Sequence, residues 1–146
     1  MDTFLRRFAV KHANLGLSKT WVLPVLSDGA ANKVTVAAYY TLASSTVEKQ
    51  QIPFEGSLPK QKLAVVLLAR LAIDAQFQGQ GLGAKTLITA LRKAVELTQA
   101  GLPALGLVLD VFDEEALAFY NHYDFFLPFP GDPRRLFVPM SVLCQL

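Results

Sequence analysis

The stretch that decides the fold runs from Val65 to Val95 and reads VVLLARLAID, AQFQGQGLGAK and TLITALRKAV. The apolar run ending at Asp74 predicts a buried strand, because short unbroken runs of Val and Leu are typical of strands covered on both faces. Alternating glycines then open a helix with one apolar face. Since glycines leave the backbone accessible, we expect N–H groups and the positive end of the helix dipole to surround an anion such as a phosphate.

Two common phosphate-binding motifs do not fit this stretch. The dinucleotide-binding fingerprint needs glycines spaced G-x-G-x-x-G and an acidic residue about 20 positions later, whereas Gly79, Gly81 and Gly83 alternate and no βαβ repeat surrounds them. A P-loop needs Gly-Lys-Ser/Thr, and Lys85 stands in the wrong position for that motif. The sequence therefore predicts another kind of glycine loop.

Composition limits the class of protein. A chain of 146 residues that is 52% hydrophobic fits a single domain over residues 1–146 with a substantial core. No apolar run reaches the roughly 20 residues of a membrane helix, and we expect a cytoplasmic protein. Cys144 is the single cysteine, so we expect no internal disulfide and interpret this residue as a small buried apolar side chain. Two histidines and one cysteine, far apart, predict no metal site.

The first half of the chain predicts a helix followed by a hairpin. Residues 1–14 carry an apolar stripe at helical spacing, and Gly16 is expected to end the helix. Two strands over residues 20–25 and 33–44 flank a Ser-Asp-Gly turn at 27–29. Residues 47–59 are polar, with two prolines and a glycine, and predict an irregular loop.

The second half predicts alternating helices and strands. A helix over residues 83–98 precedes a strand over 105–112. Asp113, Glu114 and Glu115 then form a helix start, because an Asp cap and acids in the first turn compensate the dipole. Residues 128–133 contain three prolines and a glycine and predict a loop before a last strand over 136–143.

The loop and its neighbours resemble the GNAT acetyltransferase superfamily, whose acyl-coenzyme A loop is written Q/R-x-x-G-x-G/A. Gln78, Gly81 and Gly83 occupy its defining positions. The resemblance implies a mixed α/β fold with a mostly antiparallel twisted sheet, a splayed strand pair and helices on both faces, here without the family's first strand. It also implies acetyl-CoA as donor, with pyrophosphate on the loop amides and pantetheine on the preceding strand. The residues so assigned are Leu71, Ala72, Ile73, Gln78, Gly79, Gln80, Gly81, Leu82, Gly83 and Ala84.

A second motif follows the next strand. The GNAT pattern F-Y-x-x-x-G-F carries a tyrosine whose hydroxyl reaches the sulfur of coenzyme A, and residues 119–125 read FYNHYDF. The resemblance therefore makes Tyr120 the general acid that protonates the departing thiolate. Tyr123 competes for this role, but the spacing favours Tyr120. Asp124 replaces the glycine, which usually adopts a left-handed conformation that Asp tolerates comparatively well.

The likeness extends over nearly the whole chain to one subfamily, the TacT and AtaT type of toxin acetyltransferase from bacterial toxin–antitoxin pairs. ARLAIDAQFQGQGLG is its most specific part, although Ala38 stands where the subfamily has glycine before paired tyrosines. The resemblance implies acetylation of the α-amino group of aminoacyl-tRNA, which blocks translation. It also implies a ribbon-helix-helix antitoxin as partner, and it is compatible with a homodimer.

Binding of tRNA needs cations, and the pool comprises Arg6, Arg7, Lys11, Lys60, Lys62, Arg70, Arg92, Lys93, Arg134 and Arg135. We assign tRNA contacts to Arg6, Arg7, Lys11, Arg70, Arg92 and Lys93. Taken by itself, the stretch that carries Arg6, Arg7 and Lys11 favours an ordinary solvated face over a nucleic-acid surface. Arg70 lies within the apolar strand, where a buried charge needs a partner or an anion.

Two other functions are compatible with the residues. The first is a GNAT enzyme that acetylates a small-molecule amine or a protein N-terminus, which the formal net charge of only +2 permits. The second is a non-catalytic acyl-CoA-binding module, against which Tyr120 and the intact loop both argue.

Overall fold

The computed structural model describes residues 2–25, 35–54 and 56–146. In these parts of the chain, two short 3-10 helices cover Lys49–Gln51 and Ala75–Phe77. The helices and strands are α1 (Asp2–Arg7), α2 (Ala9–Asn14), β1 (Lys19–Val25), β2 (Thr35–Glu48), β3 (Lys62–Ile73), α3 (Leu82–Ala100), β4 (Gly106–Asp110), α4 (Glu114–Asn121), β5 (Leu127–Phe129), β6 (Asp132–Pro139) and α5 (Met140–Leu143).

The six strands of the described residues form one mixed sheet in the order β1-β2-β3-β4-β6-β5. The predicted hairpin strands pair antiparallel, from Lys19 opposite Leu42 to Val25 opposite Thr35; the predicted turn at 27–29 lies outside the described residues. β3 and β4 run parallel, and their register comprises only Val66 with Leu107 and Leu67 with Val108. The predicted mixed α/β fold with a mostly antiparallel sheet is confirmed.

Contacts along the chain divide it into two compact units, Met1–Ala43 with Ala69–Ala90 and Ser44–Leu68 with Leu91–Leu146. In the first unit, aromatic side chains join the first helix to the hairpin. Phe4 stacks on Tyr39 with ring centroids 6.1 Å apart, and Trp21 stacks on Tyr40 at 5.4 Å. Both tyrosines are buried, so packing is sufficient to explain the tyrosine pair.

In the second unit, a core forms from Val47, Ile52, Leu63, Val65, Val108, Phe129 and Phe137. Gly106 lies where β4 and β6 approach most closely. A Cβ atom there would be 2.2 Å from the Val138 carbonyl oxygen and 2.6 Å from the Phe137 ring. Only glycine fits this position without displacing the β6 backbone.

Two features differ from the prediction in the first half of the chain. The predicted single helix is interrupted at Phe8, which is 41% exposed, and forms the two short helices α1 and α2. Gly16 ends α2 as predicted, with φ of 74° and its N–H donating to the Ala13 carbonyl at 3.1 Å. β2 continues to Glu48, so the loop predicted from residue 47 is wrong at its start; the buried Val47 side chain explains the extension.

The proline loop predicted over residues 128–133 is reduced to a turn at Pro130 and Gly131. β5 covers Leu127–Phe129, and β6 already begins at Asp132. The short β5 is at the edge of the sheet order, where prolines are tolerated because fewer ladder N–H groups are required. The last strand ends at Pro139, and residues predicted to extend it form α5. Cys144, predicted to be buried, is exposed just after α5.

The prediction that β3 is a buried strand is correct only for part of its length. Only Leu63, Val65 and Leu68 are buried, and the residues from Ala69 to Ile73 are exposed or half-buried. An unbroken apolar run indicates burial on both faces only where neighbouring elements cover both faces. The second part of β3 therefore presents apolar side chains and backbone at an accessible surface.

Candidate active site

In the first unit, hydrogen bonds hold the segment that connects β3 to α3. The Asp74 N–H donates to the Ala37 carbonyl at 2.8 Å, and its Oδ1 accepts from the Gln76 N–H at 3.0 Å. Gln78 Nε2 donates to the Ile73 carbonyl at 3.2 Å. The segment that leads into the predicted loop, from Asp74 to Gln78, is thus tied to strand backbone.

Two loop glycines adopt a conformation that other residues rarely reach. Gly79 has φ of 80° and Gly81 has φ of 75°. A Cβ atom built at either position would meet nothing within 4 Å. Glycine is therefore required by the backbone conformation, and open space remains above the loop for a ligand.

The N-terminus of α3 is suited to bind an anion. Its first turn comprises Leu82, Gly83 and Ala84 and carries no acidic residue. The first N–H groups of a helix have no carbonyl partner within the helix, and the dipole adds about half a positive charge there. Thr86, buried in the next turn, donates its hydroxyl to the Leu82 carbonyl at 2.7 Å. The first-turn amides are thus available to a phosphate.

In the second unit, the N-terminus of α4 is capped and acidic, unlike that of α3. Asp113 is its N-cap, and Asp113 Oδ1 accepts from the Ala116 N–H at 2.7 Å. Glu114 and Glu115 occupy the first turn, and Glu114 is bonded to the Arg134 guanidinium. The predicted capping role of these carboxylates agrees with this geometry.

Tyr120 lies near the end of α4 in an aromatic cluster. Its ring meets Phe119 edge-on at 5.0 Å and Phe126 edge-on at 5.4 Å. The side chain is 8% exposed. Burial, with a smaller contribution from Tyr123, raises the pKa of the Tyr120 hydroxyl from about 10 to about 12. The phenol therefore stays protonated throughout the neutral range, as a proton donor must.

The helix end after Tyr120 differs from the prediction for Asp124. Among the described residues, positive φ angles occur only at glycines, so Asp124 is not left-handed. α4 instead ends with His122 in a right-handed conformation, whose N–H donates to the Ala118 carbonyl at 3.2 Å. Phe126 then packs back on Tyr120, which shows that this turn can hold the tyrosine without the glycine.

Arg70 is exposed, so the prediction of a charge buried in the apolar strand is wrong. Its guanidinium carbon lies 4.1 Å from the centre of the Phe4 ring, which is a cation–π contact. Phe4 belongs to α1, which also carries Arg6 and Arg7; these two and Lys11 of α2 are exposed. The contact thus associates Arg70 with the helices that carry the predicted N-terminal cations.

The other two predicted RNA-binding cations belong to the second unit and have partners in the protein. Arg92 Nε donates to the Leu146 carbonyl at 3.4 Å. Lys93 Nζ lies 3.2 Å from Glu96 Oε2 in an ion pair along α3. An RNA phosphate would compete with these contacts, which weakens the assignment of Arg92 and Lys93.

Three features of the structure were not predicted from the sequence. The aromatic support of Tyr120 by Phe126 lies beyond the helix and one position past the last residue of the FYNHYDF motif, so that motif did not indicate it. Lys49 joins Lys60 and Lys62 around one groove, which no local pattern indicates because 11 positions separate them. The third feature is the cap that Asp74 forms on the 3-10 helix before the loop. This cap could have been predicted from the sequence, since Asp commonly caps a helical turn.

The described residues contain no group of three or more His, Cys, Asp or Glu side chains that could hold a metal ion. A search of the same residues finds no helix long and apolar enough to cross a membrane.

The chain is similar to known proteins in both sequence and fold. No protein-family model matches it. It is 34% identical over 144 residues to a tRNA-acetylating toxin from Mycobacterium tuberculosis (strain ATCC 25618 / H37Rv), covering 97% of this chain and 80% of that protein.

Two solved structures extend the likeness to the fold. A structure of AtaT complexed with acetyl-methionyl-tRNAfMet superposes with a TM-score of 0.85 at 26% identity and covers 99% of this chain and 84% of that one. A tyrosine-to-phenylalanine variant of AtaT, bound to the C-terminus of the antitoxin AtaR and acetyl-CoA, superposes with a TM-score of 0.78 at 26% identity, covering 97% and 80%. The chain, with its glycine loop and its tyrosine-bearing helix, therefore belongs to the family of tRNA-acetylating toxins.

Proposed function

We propose that this protein is a cytoplasmic toxin that transfers an acetyl group from acetyl-CoA to the α-amino group of aminoacyl-tRNA and so blocks translation. The observation that carries the proposal is family membership at 34% identity over 97% of the chain, together with two matching structural features. The first is the glycine loop before α3, whose backbone is suited to bind an anion. The second is Tyr120 of α4, which is buried and protonated.

The loop is proposed to hold the pyrophosphate of acetyl-CoA. The N–H groups of Gly79, Gln80 and Gly81 and of the first turn of α3 would donate to phosphate oxygens. The pantetheine arm would follow β3 beyond Leu67, where the ladder with β4 ends although β3 continues to Ile73. Backbone groups near Leu71 and Ile73 would bond the arm and polarise the thioester carbonyl.

The reaction needs little from side chains. The neutral α-amine attacks the thioester carbonyl carbon, an N–C bond forms, the C–S bond breaks and the proton lost by nitrogen ends on sulfur. An ordinary α-amino group has a pKa of about 7.7–8.0, so a useful fraction is neutral near pH 7 without a strong base. Positioning of the two reactants then supplies much of the rate.

Tyr120 is proposed to deliver the proton to sulfur. A pKa of about 12 makes proton transfer to a solvated thiolate unfavourable, because a free thiol has a pKa of only about 8.5. The transfer is therefore expected as the C–S bond breaks, while the sulfur charge is still desolvated. The resulting tyrosinate takes up a proton from the positively charged nitrogen as the amide forms.

The partner predicted from the family is a ribbon-helix-helix antitoxin. Its binding should abolish acetyl transfer, since AtaT has been solved with the C-terminus of its antitoxin. We propose that this toxin is likewise neutralised by a protein partner. Two copies of the chain would enlarge the surface available to a tRNA.

The decisive experiment uses labelled acetyl-CoA with total aminoacyl-tRNA and follows label on the RNA fraction. We expect label on one or a few isoacceptors, released when the aminoacyl ester is hydrolysed. A matched reaction with deacylated tRNA should stay unlabelled. If the protein binds acetyl-CoA but labels only a small amine or a protein N-terminus, the tRNA proposal is wrong.

A further inference from the structure

Three lysines surround a surface groove in the second unit. The groove has a volume of about 610 Å³ and lies between the end of β2 with its following 3-10 helix and the start of β3. Among the residues that the structure describes, its lining consists of Glu48, Lys49, Gln50, Lys60, Gln61 and Lys62. Lys60 and Lys62 are exposed, and Lys49 is half-buried.

The lining is cationic. It contains three ammonium groups and one carboxylate, that of Glu48. Glu48 Oε2 accepts from Gln50 Nε2 at 2.7 Å, and the Glu48 N–H donates to Gln51 Oε1 at 3.3 Å. The carboxylate is thus occupied by a neutral amide of the protein, and the groove attracts anions.

The residue types in the groove select a class of anion. Lysine ammonium groups act as point charges toward phosphate, and neutral amides can bond ribose hydroxyls. The six lining residues include no aromatic side chain and no arginine. Single-stranded RNA is usually bound by stacking its bases on such planar groups, whereas duplex RNA is bound through phosphates and 2′-hydroxyls.

The groove lies far from the strand end that leads to α4. Lys62 begins β3, and the parallel register of Val66 with Leu107 places it well before the start of β4. α4 follows the other end of β4, after Asp110. At about 3.3 Å per residue, the level of Lys62 and that of Asp110 differ by roughly 20 Å along the strands. A small amine reaches only one of these ends, whereas a tRNA can reach both.

We propose that this groove, the Lys49 groove, binds the phosphate backbone of the double-helical part of the tRNA. The inference rests on the proposed function and names a contact for it that is remote from the reacting amine. It adds Lys49 to the predicted cations and gives Lys60 and Lys62 a defined place. Phosphate contacts of this kind hold the substrate in register without reading its sequence.

The test replaces Lys49, Lys60 and Lys62 with glutamine, singly and together. Affinity for deacylated tRNA is measured over a range of salt concentrations. Each single substitution should lower the slope of log affinity against log salt by nearly one, and the triple variant should bind on the order of a hundredfold more weakly at low salt. Lys19→Gln, which removes an exposed lysine from β1, is the matched control and should change neither quantity.

A competition experiment identifies the part of the tRNA that is bound. A short RNA hairpin without a 3′ single strand should displace tRNA from the wild-type protein, and the triple variant should bind this hairpin far more weakly. An unstructured RNA of the same length should displace tRNA poorly. If the single strand competes and the hairpin does not, the groove does not bind a duplex.

The wild-type protein separates failure of this inference from failure of the proposed function. If it labels aminoacyl-tRNA while the lysine variants bind tRNA with unchanged affinity and salt slope, the groove assignment is wrong and the function stands. If the wild type neither binds nor labels tRNA, both are overturned. Thermal unfolding of each variant should stay close to that of the wild type, because Lys60 and Lys62 are exposed and Lys49 is only half-buried.

Discussion

The starts of α3 and α4 show how one structural element serves two purposes. Both are N-termini with the same unpaired N–H groups and the same dipole direction. α4 closes its own terminus with Asp113 and adds Glu114 and Glu115. α3 follows Gly79 and Gly81, both at positive φ, and has no acidic residue in its first turn. The difference teaches that a helix start is structural when the chain supplies the anion and is open to a ligand when it does not.

The largest expected effect is on acetyl transfer, which we assign to Tyr120 of α4, and not on acetyl-CoA binding, which we assign to the start of α3. Tyr120→Phe should reduce acetyl transfer by about 10²–10⁴-fold, because the proton donor is lost. The affinity for acetyl-CoA, measured by calorimetry, should stay within a few fold, since the loop is untouched. Tyr123→Phe is the matched control and should retain turnover. Full activity of Tyr120→Phe would exclude Tyr120 as the acid.

The next effect concerns the burial of Tyr120. Its pKa of about 12 in the folded protein exceeds the unfolded value of about 10, so the folded state holds this proton more tightly. The corresponding stability is complete below pH 10 and is lost as the pH rises from 10 to 12, by on the order of 3 kcal/mol. Denaturant unfolding at these pH values should show a smaller loss for Tyr120→Phe. Parallel curves for both proteins would contradict the raised pKa.

A carboxylate can be moved to the open helix start. Ala84→Glu gives the first turn of α3 the kind of residue that α4 already has. The helix should be unchanged or slightly more stable, by up to about 0.5 kcal/mol, while acetyl-CoA should bind about tenfold more weakly through repulsion of its phosphates. Thr89→Glu adds the same charge farther along α3 and serves as control. Equal acetyl-CoA affinity in both variants would place the phosphates elsewhere.

The smallest expected effect comes from removing the Asp113 cap at the N-terminus of α4. Asp113→Ala should lower the free energy of unfolding by about 1 kcal/mol, because the Ala116 N–H loses its acceptor. Asp113→Asn keeps an oxygen at this position and should lose much less. Neither substitution should alter acetyl-CoA affinity. A large change in that affinity would mean that the start of α4 also contributes to cofactor binding.

Local patterns predicted α3, α4, most strands and the capping by Asp113 because these depend on neighbours a few residues apart, but they joined α1 to α2 and placed α5 in a strand. The same patterns were only partly correct at β3 and at the prolines before β6. Burial of β3 depends on what covers each face, and Pro128 is accepted in β5 because that strand is at an edge. Arg70 was expected to be buried for the same reason, whereas it lies exposed over Phe4, a residue 66 positions earlier in the chain.

The sequence by itself determined the order of elements from β1 to α4, the glycine loop, the motif around Tyr120 and the family. Each of these features depends on a short stretch of sequence, through the backbone preferences of its residues or their spacing. Only the tertiary structure decided which charges come together and how each group titrates. Lys49 joins Lys60 and Lys62 because β2 and β3 bring the two ends of a loop to one groove. The pKa of Tyr120 rises because the folded chain buries its hydroxyl and places Tyr123 beside it, and desolvation depends on every element that packs around a group.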